Sequence, residues 1–190
     1  MTSPASVEGD ARVRLFCALS LPDAVLDRLV HWQQRLPPGD FRVVPRENLH
    51  LTLAFLGGRP ASEVEGIRSE LEQAAAAAGD IVLQPRRYRE TRSVGMLVFD
   101  DEDGAAGRLA ADLHARLERL GVYEPERRRW LPHLTVVRFR TPPRLGPELP
   151  ELGTVRPSGA AVYHSVLRPT GAQYVVLHSV ALAPLTDTRG

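Results

Sequence analysis

One short pattern of alternating apolar and polar residues occurs twice in the chain. In NLHLTLAFLG, residues 48–57, three leucines alternate with His50 and Thr52, as on a strand whose successive side chains point to opposite faces. The second occurrence is LPHLTVVRFR, where His133 and Thr135 stand in the same relation. At this content of histidine and threonine, two His-x-Thr triplets arise by chance with a probability of about 3%. The repetition therefore marks both strands as candidates for a functional site.

The remaining periodicity predicts three helices and several further strands. Apolar residues recur at helical spacing in residues 22–36, 62–78 and 105–120. Ser62 and Glu65 have the spacing of a capping box in the second helix, and Gly121 suits a C-terminal cap after the third. Further strands are predicted at 13–21, 81–90, 94–100, 160–167 and 172–182.

The order and spacing of these elements predict the fold class. A helix followed by a His-Thr strand occurs twice: Leu36 ends the first helix 14 residues before His50, and Leu120 ends the third helix 13 residues before His133. This near-equality indicates two structurally similar lobes. We therefore predict an α+β fold of two pseudo-symmetric lobes, with mostly antiparallel sheet and the helices on the outer faces.

Composition is typical of a globular protein but does not indicate what the protein binds. The 190 residues, 43% of them hydrophobic, suit one globular domain at 12–184 with disordered tails at 1–11 and 185–190. A formal net charge of +1 is uninformative about partners, since any basic patch could still be local, and Cys17, as the single cysteine, excludes an intrachain disulfide or a thiolate metal cluster. No apolar run is typical of a signal peptide or a membrane span. We expect a cytoplasmic monomer that binds no membrane.

Paired histidines suit the cleavage of phosphodiesters. The nucleophile must lose a proton and the leaving alkoxide must gain one, and histidine can do either near neutral pH. Two histidines on opposite sides of a phosphorus atom can act in line as base and acid without a metal ion. A threonine two residues further along lies about 6 to 7 Å away on the same face, where its hydroxyl can bond a non-bridging phosphate oxygen.

These residues also resemble a known family. LHLTLAFLG and PHLTVVR, with RLFCALSLP near the start and SVLRPTGAQY near the end, are similar in order and spacing to the bacterial RNA 2′,3′-cyclic phosphodiesterases, LigT-like proteins of the two-histidine (2H) phosphoesterase superfamily. The resemblance runs from about Arg14 to Leu182. It implies a central cleft between the lobes and a hydrolase that needs no metal or other cofactor. Its substrates would be 2′,3′-cyclic phosphates at RNA 3′ ends or on small nucleotides, opened to 2′-phosphomonoesters.

The resemblance also implies roles for individual residues. His133 would deprotonate water, His50 would protonate the departing 3′ oxygen, and the hydroxyls of Thr52 and Thr135 would orient the phosphate. Arg138 follows His133 by five residues, as an arginine does in the resembling proteins, and a guanidinium suits phosphate. Strict alternation would turn Arg138 to the opposite face, so a phosphate contact requires a bulge or a strand end after Thr135. Without one, Arg138 is a surface arginine.

Three other interpretations of the paired histidines stay open on the sequence alone. Both histidines could be core residues bonded to backbone carbonyls. A zinc site would make the chain a metal-dependent hydrolase, although threonine, which is not a usual zinc ligand, occupies both i+2 positions. The cleft could also bind RNA or a nucleotide without catalysing a reaction.

Several other polar residues have competing interpretations. His31 and His114 lie on predicted helices and are expected to be ordinary solvated or half-buried residues, whereas His164 and His178, on late strands, could reach the cleft. The basic segment ERRRW, residues 126–130, is either an RNA-binding flank or a solvated loop. Stacking of a terminal base on Phe16 or Trp130 is a further hypothesis.

Overall fold

Two antiparallel sheets of four strands each form the framework. A computed structural model describes residues 11–169 and 171–182. Its strands are β1 (Arg12–Ser20), β2 (Arg42–Val43), β3 (Leu51–Pro60), β4 (Gln84–Glu90), β5 (Val94–Asp100), β6 (His133–Arg138), β7 (Gly159–Arg168) and β8 (Gly171–Ala181). The first sheet has the order β3-β1-β7-β8 and the second the order β2-β6-β5-β4. Apart from Ala11, both predicted tails lie outside the described residues, and the predicted domain limits stay a prediction.

Three helices cover the sheets, α1 (Asp23–Gln34), α2 (Val64–Ala76) and α3 (Ala105–Arg119). Helix α2 contacts β7 and β8, α3 contacts β3, and a side chain of α1 bonds to β6. The prediction of an α+β fold with two antiparallel lobes and outer helices is therefore confirmed. Within the described part of the chain, none of the helices is long and apolar enough to cross a membrane.

The ends of the helices differ from the prediction in two places. A 3-10 turn at Ala61–Glu63 precedes α2, whose N-cap position is Glu63 without a side-chain cap bond, so the predicted capping box is wrong. Helix α3 ends as predicted, because Gly121 adopts a φ of 77° that favours glycine, and Val122 N–H donates to Leu117 O. Leu120, at this end of the helix, is exposed and does not belong to the row of buried apolar side chains on α3.

A single hydrophobic core packs between the sheets and the helices. Leu51 and Leu53 of β3, and Leu134 and Val136 of β6, all belong to it. The two strands also contact each other, so the sheets meet at the two His-Thr strands. One face of each strand is thereby closed by the core, and the polar residues occupy the other face.

A β-bulge interrupts each His-Thr strand at an equivalent point. On β6, Val136 is skipped between consecutive pairing partners on β5, and on β3, Leu53 is skipped between consecutive partners on β1. The bulged residue and its successor are both buried in each strand. Because each bulge adds one residue, the second residue after the bulged one lies on the same face as the histidine. Phe55 on β3 and Arg138 on β6, each five residues after its histidine, are therefore exposed on that face.

Side chains from two helices bond the carbonyls of the bulged residues. Gln33 Nε2 of α1 donates to Val136 O at 2.8 Å and to Val44 O at 3.0 Å. His114 Nε2 of α3 donates to Leu53 O at 2.7 Å. Helix α1 precedes β3 in the chain but bonds to β6, and α3 precedes β6 but bonds to β3. Each helix thus bonds to the His-Thr strand that it does not directly precede in the chain, and His114, although half-buried as expected, is not an ordinary helix residue.

Replacing Gln33 with Met should destabilise the protein while nearly preserving side-chain length. The substitution removes both donated hydrogen bonds in a buried setting, so we expect the free energy of unfolding to fall by about 1 to 3 kcal/mol in urea denaturation. Gln34→Met at the exposed next position is the matched control and should change that free energy by less than about 0.5 kcal/mol. Equal stabilities for the two variants would contradict the assigned role of Gln33.

Candidate active site

Strands of both sheets line one cleft of about 550 Å³. His50 lies immediately before β3, and His133 is the first residue of β6. Every side chain that the sequence predicts for the site lines this cleft, namely His50, Thr52, His133, Thr135 and Arg138. The bulge that a phosphate contact by Arg138 requires is present at Val136. The structure therefore brings all five predicted residues together.

Both histidine rings are held by the same kind of bond. His50 Nδ1–H donates to Asn48 O at 2.7 Å, and His133 Nδ1–H donates to Leu131 O at 2.8 Å. The acceptor is in each case the carbonyl two residues earlier. Because a carbonyl oxygen can only accept, Nδ1 of each ring carries a hydrogen, and Nε2 is the basic nitrogen of the neutral ring. The cleft thus contains two histidines with matched tautomers.

Aromatic side chains enclose the ring of His50. Phe16 stacks on it with a centroid distance of 4.8 Å, Tyr174 meets it edge-on at 5.3 Å, and Tyr163 lies at 5.9 Å. This burial lowers the pKa of His50 from 6.5 to about 4. The bond to Asn48 O opposes the shift, while the positive charges of Arg138 and His133 add to it. In the unliganded protein His50 is therefore neutral at pH 7.

Cationic side chains line the cleft without acidic neighbours. Arg14, Arg42 and Arg138 line it, and its lining includes no Asp or Glu among the residues that the structure describes. Within residues 11–169 and 171–182 these three guanidinium groups form no ion pair. The cleft therefore concentrates positive charge in a chain whose overall charge is nearly balanced.

An exposed aromatic side chain at the rim was not predicted from the sequence. Phe55 is 47% exposed, and the guanidinium carbon of Arg14 lies 4.9 Å from its ring centroid. Leu167, 72% exposed, lines the cleft as well. Phe55 occupies the position on β3 that Arg138 occupies on β6. Its equal spacing from the preceding histidine is the signal that could have found it.

Asn48 is a second residue that the sequence analysis missed. Its carbonyl accepts the bond from His50, and its side-chain Nδ2 donates to Ala172 O of β8 at 2.8 Å. Asn48 therefore links the wall of the cleft formed by β8 to the turn that orients His50. Asn48 is not part of the repeated His-x-Thr pattern, so nothing in the sequence distinguished it from an ordinary turn residue.

Phe16 and Trp130 have structural contacts that argue against base stacking. Phe16 is 3% exposed and packs beneath His50. Trp130 Nε1 donates to Thr52 O at 2.9 Å and so ties the segment before β6 to β3. Both residues thus have structural roles, and stacking of a base on either of them stays a prediction. Arg128 and Arg129 of the basic segment line, with Trp130, a separate groove that shares none of its described residues with the cleft.

The other histidines and the cysteine lie outside the cleft. His31 is exposed on α1, His164 does not line the cleft, and His178 Nε2 lies 2.8 Å from Glu72 Oε1. Cys17 is buried, and burial raises the pKa of its thiol to about 12. In the described residues no three His, Cys, Asp or Glu side chains are grouped so that they could hold a metal ion.

Comparisons with known proteins identify the family. The sequence model of the family described as LigT like Phosphoesterase matches residues 19–87. RNA 2′,3′-cyclic phosphodiesterase from Thermus thermophilus is 32% identical over 181 residues, which cover 90% of each chain. The chain belongs to the LigT-like phosphoesterase family. In the same family, RNA 2′,3′-cyclic phosphodiesterase from Escherichia coli is 30% identical over 135 residues, or 66% of this chain and 71% of that protein.

Solved structures show the same fold. A crystal structure of a Thermus thermophilus protein matches with a TM-score of 0.77 at 29% identity, and covers 89% of this chain and 97% of its own. Escherichia coli LigT complexed with 3′-AMP matches with a TM-score of 0.76 at 24% identity, over 90% and 98% of the two chains. The family resemblance of the sequence is confirmed, and the chain is an enzyme of the phosphoesterase class.

The low pKa of His50 predicts a pH dependence of stability. As pH falls below 6.5 the unfolded chain protonates His50 but the folded chain does not, so the free energy of unfolding decreases towards pH 4. His50→Gln cannot take up this proton. The stability difference between wild type and His50→Gln should therefore shrink by up to about 3 kcal/mol between pH 7 and pH 4. His31→Gln is the surface control, and a His50→Gln protein that follows the wild-type profile would contradict the shift.

Proposed function

We propose that the chain hydrolyses 2′,3′-cyclic phosphates at RNA 3′ ends, or on small nucleotides, to 2′-phosphomonoesters without a metal ion or other cofactor. Two relatives at 32% and 30% identity carry the name RNA 2′,3′-cyclic phosphodiesterase. The observation that carries the proposal is the pair of rings in one cleft, each anchored through Nδ1 to a carbonyl. This arrangement supplies two Nε2 atoms for proton transfer.

In the proposed reaction the two histidines act on opposite sides of the phosphorus atom. Nε2 of His133 takes a proton from water as the oxygen attacks phosphorus. The bond between phosphorus and the ribose 3′ oxygen breaks, and Nε2–H of His50 protonates that oxygen. The products are a 2′-phosphomonoester and a 3′-hydroxyl. Proton exchange with solvent then resets both rings.

The acid role of His50 requires substrate binding to restore its proton. In the unliganded site the ring is neutral at pH 7, because burial lowers its pKa to about 4. A bound phosphate brings negative charge close to the ring, which favours the imidazolium form and raises the pKa. The negative charge of the bound substrate therefore favours the protonated form of His50, which acts as the general acid. Once protonated, a ring in an apolar setting gives up its proton readily.

The remaining site residues would bind and orient the substrate. The hydroxyls of Thr52 and Thr135 would bond the non-bridging phosphate oxygens, and the guanidinium of Arg138 would bind them as a charged fork. Phe55, exposed at the rim and next to Arg14, would contact the nucleobase. The enzyme would work as a cytoplasmic monomer, which is compatible with a single cysteine whose thiol is buried.

Turnover of 2′,3′-cyclic AMP in the presence of EDTA tests the proposed activity. We expect full activity, with 2′-AMP as the product identified by chromatography. Binding without turnover would favour the alternative of a non-catalytic RNA-binding or nucleotide-binding module. Turnover that EDTA abolishes and zinc restores would instead indicate a metal-dependent hydrolase. Both of these outcomes contradict the proposal.

Kinetics of single variants test the assigned roles. His50→Ala or His133→Ala removes a proton-transfer group and should lower kcat by about 10²- to 10⁴-fold. Thr52→Val or Thr135→Val removes a hydroxyl that binds charge already present in the ground state. Each threonine variant should cost about 1 to 2 kcal/mol, partly as a higher KM.

The control for these variants is His31→Ala, which changes an exposed histidine on α1 and should retain wild-type kinetics. Circular dichroism establishes that each variant is folded. A folded His133→Ala enzyme that keeps most of its kcat would refute the role of His133 as base.

A further inference from the structure

Two arginines face each other directly across neighbouring strands at the edge of the cleft. Arg42 of β2 pairs in register with Arg138 of β6, and both side chains are exposed. Like charges in directly opposed positions of an antiparallel pair are destabilising. Neither guanidinium forms an ion pair within the described chain. An anion bound between or beside them would remove this repulsion.

The arginine pair connects the cleft to a second depression, which we name the side groove. This groove has a volume of about 450 Å³ and is lined by Asp40, Phe41, Arg42, Arg138, Phe139 and Arg140. Arg42 and Arg138 line both the cleft and the side groove. Among the described residues, Asp40 is the one carboxylate in the groove lining, and it forms no ion pair with the arginines there. The groove therefore continues the positive charge of the cleft outward along β2 and β6.

A substrate longer than one nucleotide needs such a continuation. The proposed reaction places the terminal cyclic phosphate between the two histidines, within reach of Arg138. The next phosphodiester of the strand carries its own negative charge and must leave the cleft on one side. Two adjoining cationic positions suit two successive phosphates, because each phosphate contact neutralises one charge of the backbone.

We propose that the side groove binds the RNA backbone upstream of the cyclic end, with Arg42 contacting the phosphodiester 5′ to the terminal nucleotide. This inference rests on the proposed function and adds to it a subsite that favours oligonucleotides over mononucleotides. Arg42 is thus a specificity-determining residue for chain length. Arg140 extends the same cationic path at the outer end of the groove.

A competing path for the backbone lies beside Trp130. Arg108, Arg128 and Arg129 line the separate groove there. Both carboxylate oxygens of Asp101 in that groove accept bonds from the amides of Ala106 and Gly107. In the described part of the chain this groove shares no residue with the cleft, whereas the side groove shares two. Continuity therefore favours the side groove, and Arg128 serves as the matched control.

The test compares two substrates in three proteins. Wild type, Arg42→Ala and Arg128→Ala are assayed with 2′,3′-cyclic AMP and with a tetranucleotide that ends in a 2′,3′-cyclic phosphate. For the tetranucleotide, Arg42→Ala should raise KM about tenfold. The slope of log KM against log salt concentration should also become smaller by about 0.7. For the mononucleotide, whose one phosphate lies at Arg138, the same variant should raise KM by a smaller factor, so that the ratio of the two KM values rises by about threefold or more. Arg128→Ala should match wild type with both substrates.

Three outcomes would overturn the proposal about the side groove. These are an Arg42→Ala enzyme with unchanged KM for the tetranucleotide, an equal loss with both substrates, or a tetranucleotide-specific loss in Arg128→Ala instead. If wild type turns over neither substrate, the proposed function itself fails. Fluorescence anisotropy with a labelled tetranucleotide carrying a 2′-phosphate then tests Arg42 alone. Weaker binding by Arg42→Ala than by Arg128→Ala would support the groove, and equal binding would refute it.

Discussion

Only one face of each His-Thr strand, β3 and β6, can pack into the shared hydrophobic core. The position of the candidate site follows from this constraint. Leu51 of β3 and Leu134 of β6 are fully buried in the core. The polar residues on either side of these leucines must therefore face outward, and because β3 and β6 are in contact they face the same cleft. Alternation alone would bring Ala54 and Val137 to that face after the histidine and the threonine. The bulges at Leu53 and Val136 bring Phe55 and Arg138 there instead.

Much of the fold and the site followed from periodicity. The alternation around His50 and His133 and the helical stripes depend on local residue order, which the sequence displays directly, and their repetition predicted two lobes. Tertiary contacts decided the rest. The two-residue β2 exists because its backbone pairs with β6, so it carries no periodic signal of its own. Ser62 lost its expected cap role because a 3-10 turn continues into α2.

The properties of individual site residues were harder to predict than their positions. The sequence left the face of Arg138 undecided because alternation and the family resemblance disagreed, and only the sheet pairing could locate the bulge. Aromatic residues presented a similar difficulty. Phe16, Tyr163 and Tyr174 come from three different strands, so their convergence on His50 and the resulting fall in its pKa are invisible in the linear order. Reciprocal bonds from Gln33 and His114 likewise join residues distant in the chain.

The near-duplication of the two strands raises a problem of orientation. A site made of two matching halves would accept a cyclic phosphate in either of two opposite directions, and rotating the ligand would exchange the acid with the base. The fifth residue after each histidine breaks this degeneracy, because β3 presents the neutral ring of Phe55 where β6 presents the charge of Arg138. Such a difference gives the cleft a polarity that matches a nucleotide, which is flat and weakly polar at one end and anionic at the other. Duplication thus supplies the paired histidines, and the residues that differ between the two halves, Phe55 and Arg138 among them, distinguish the two ends of the cleft.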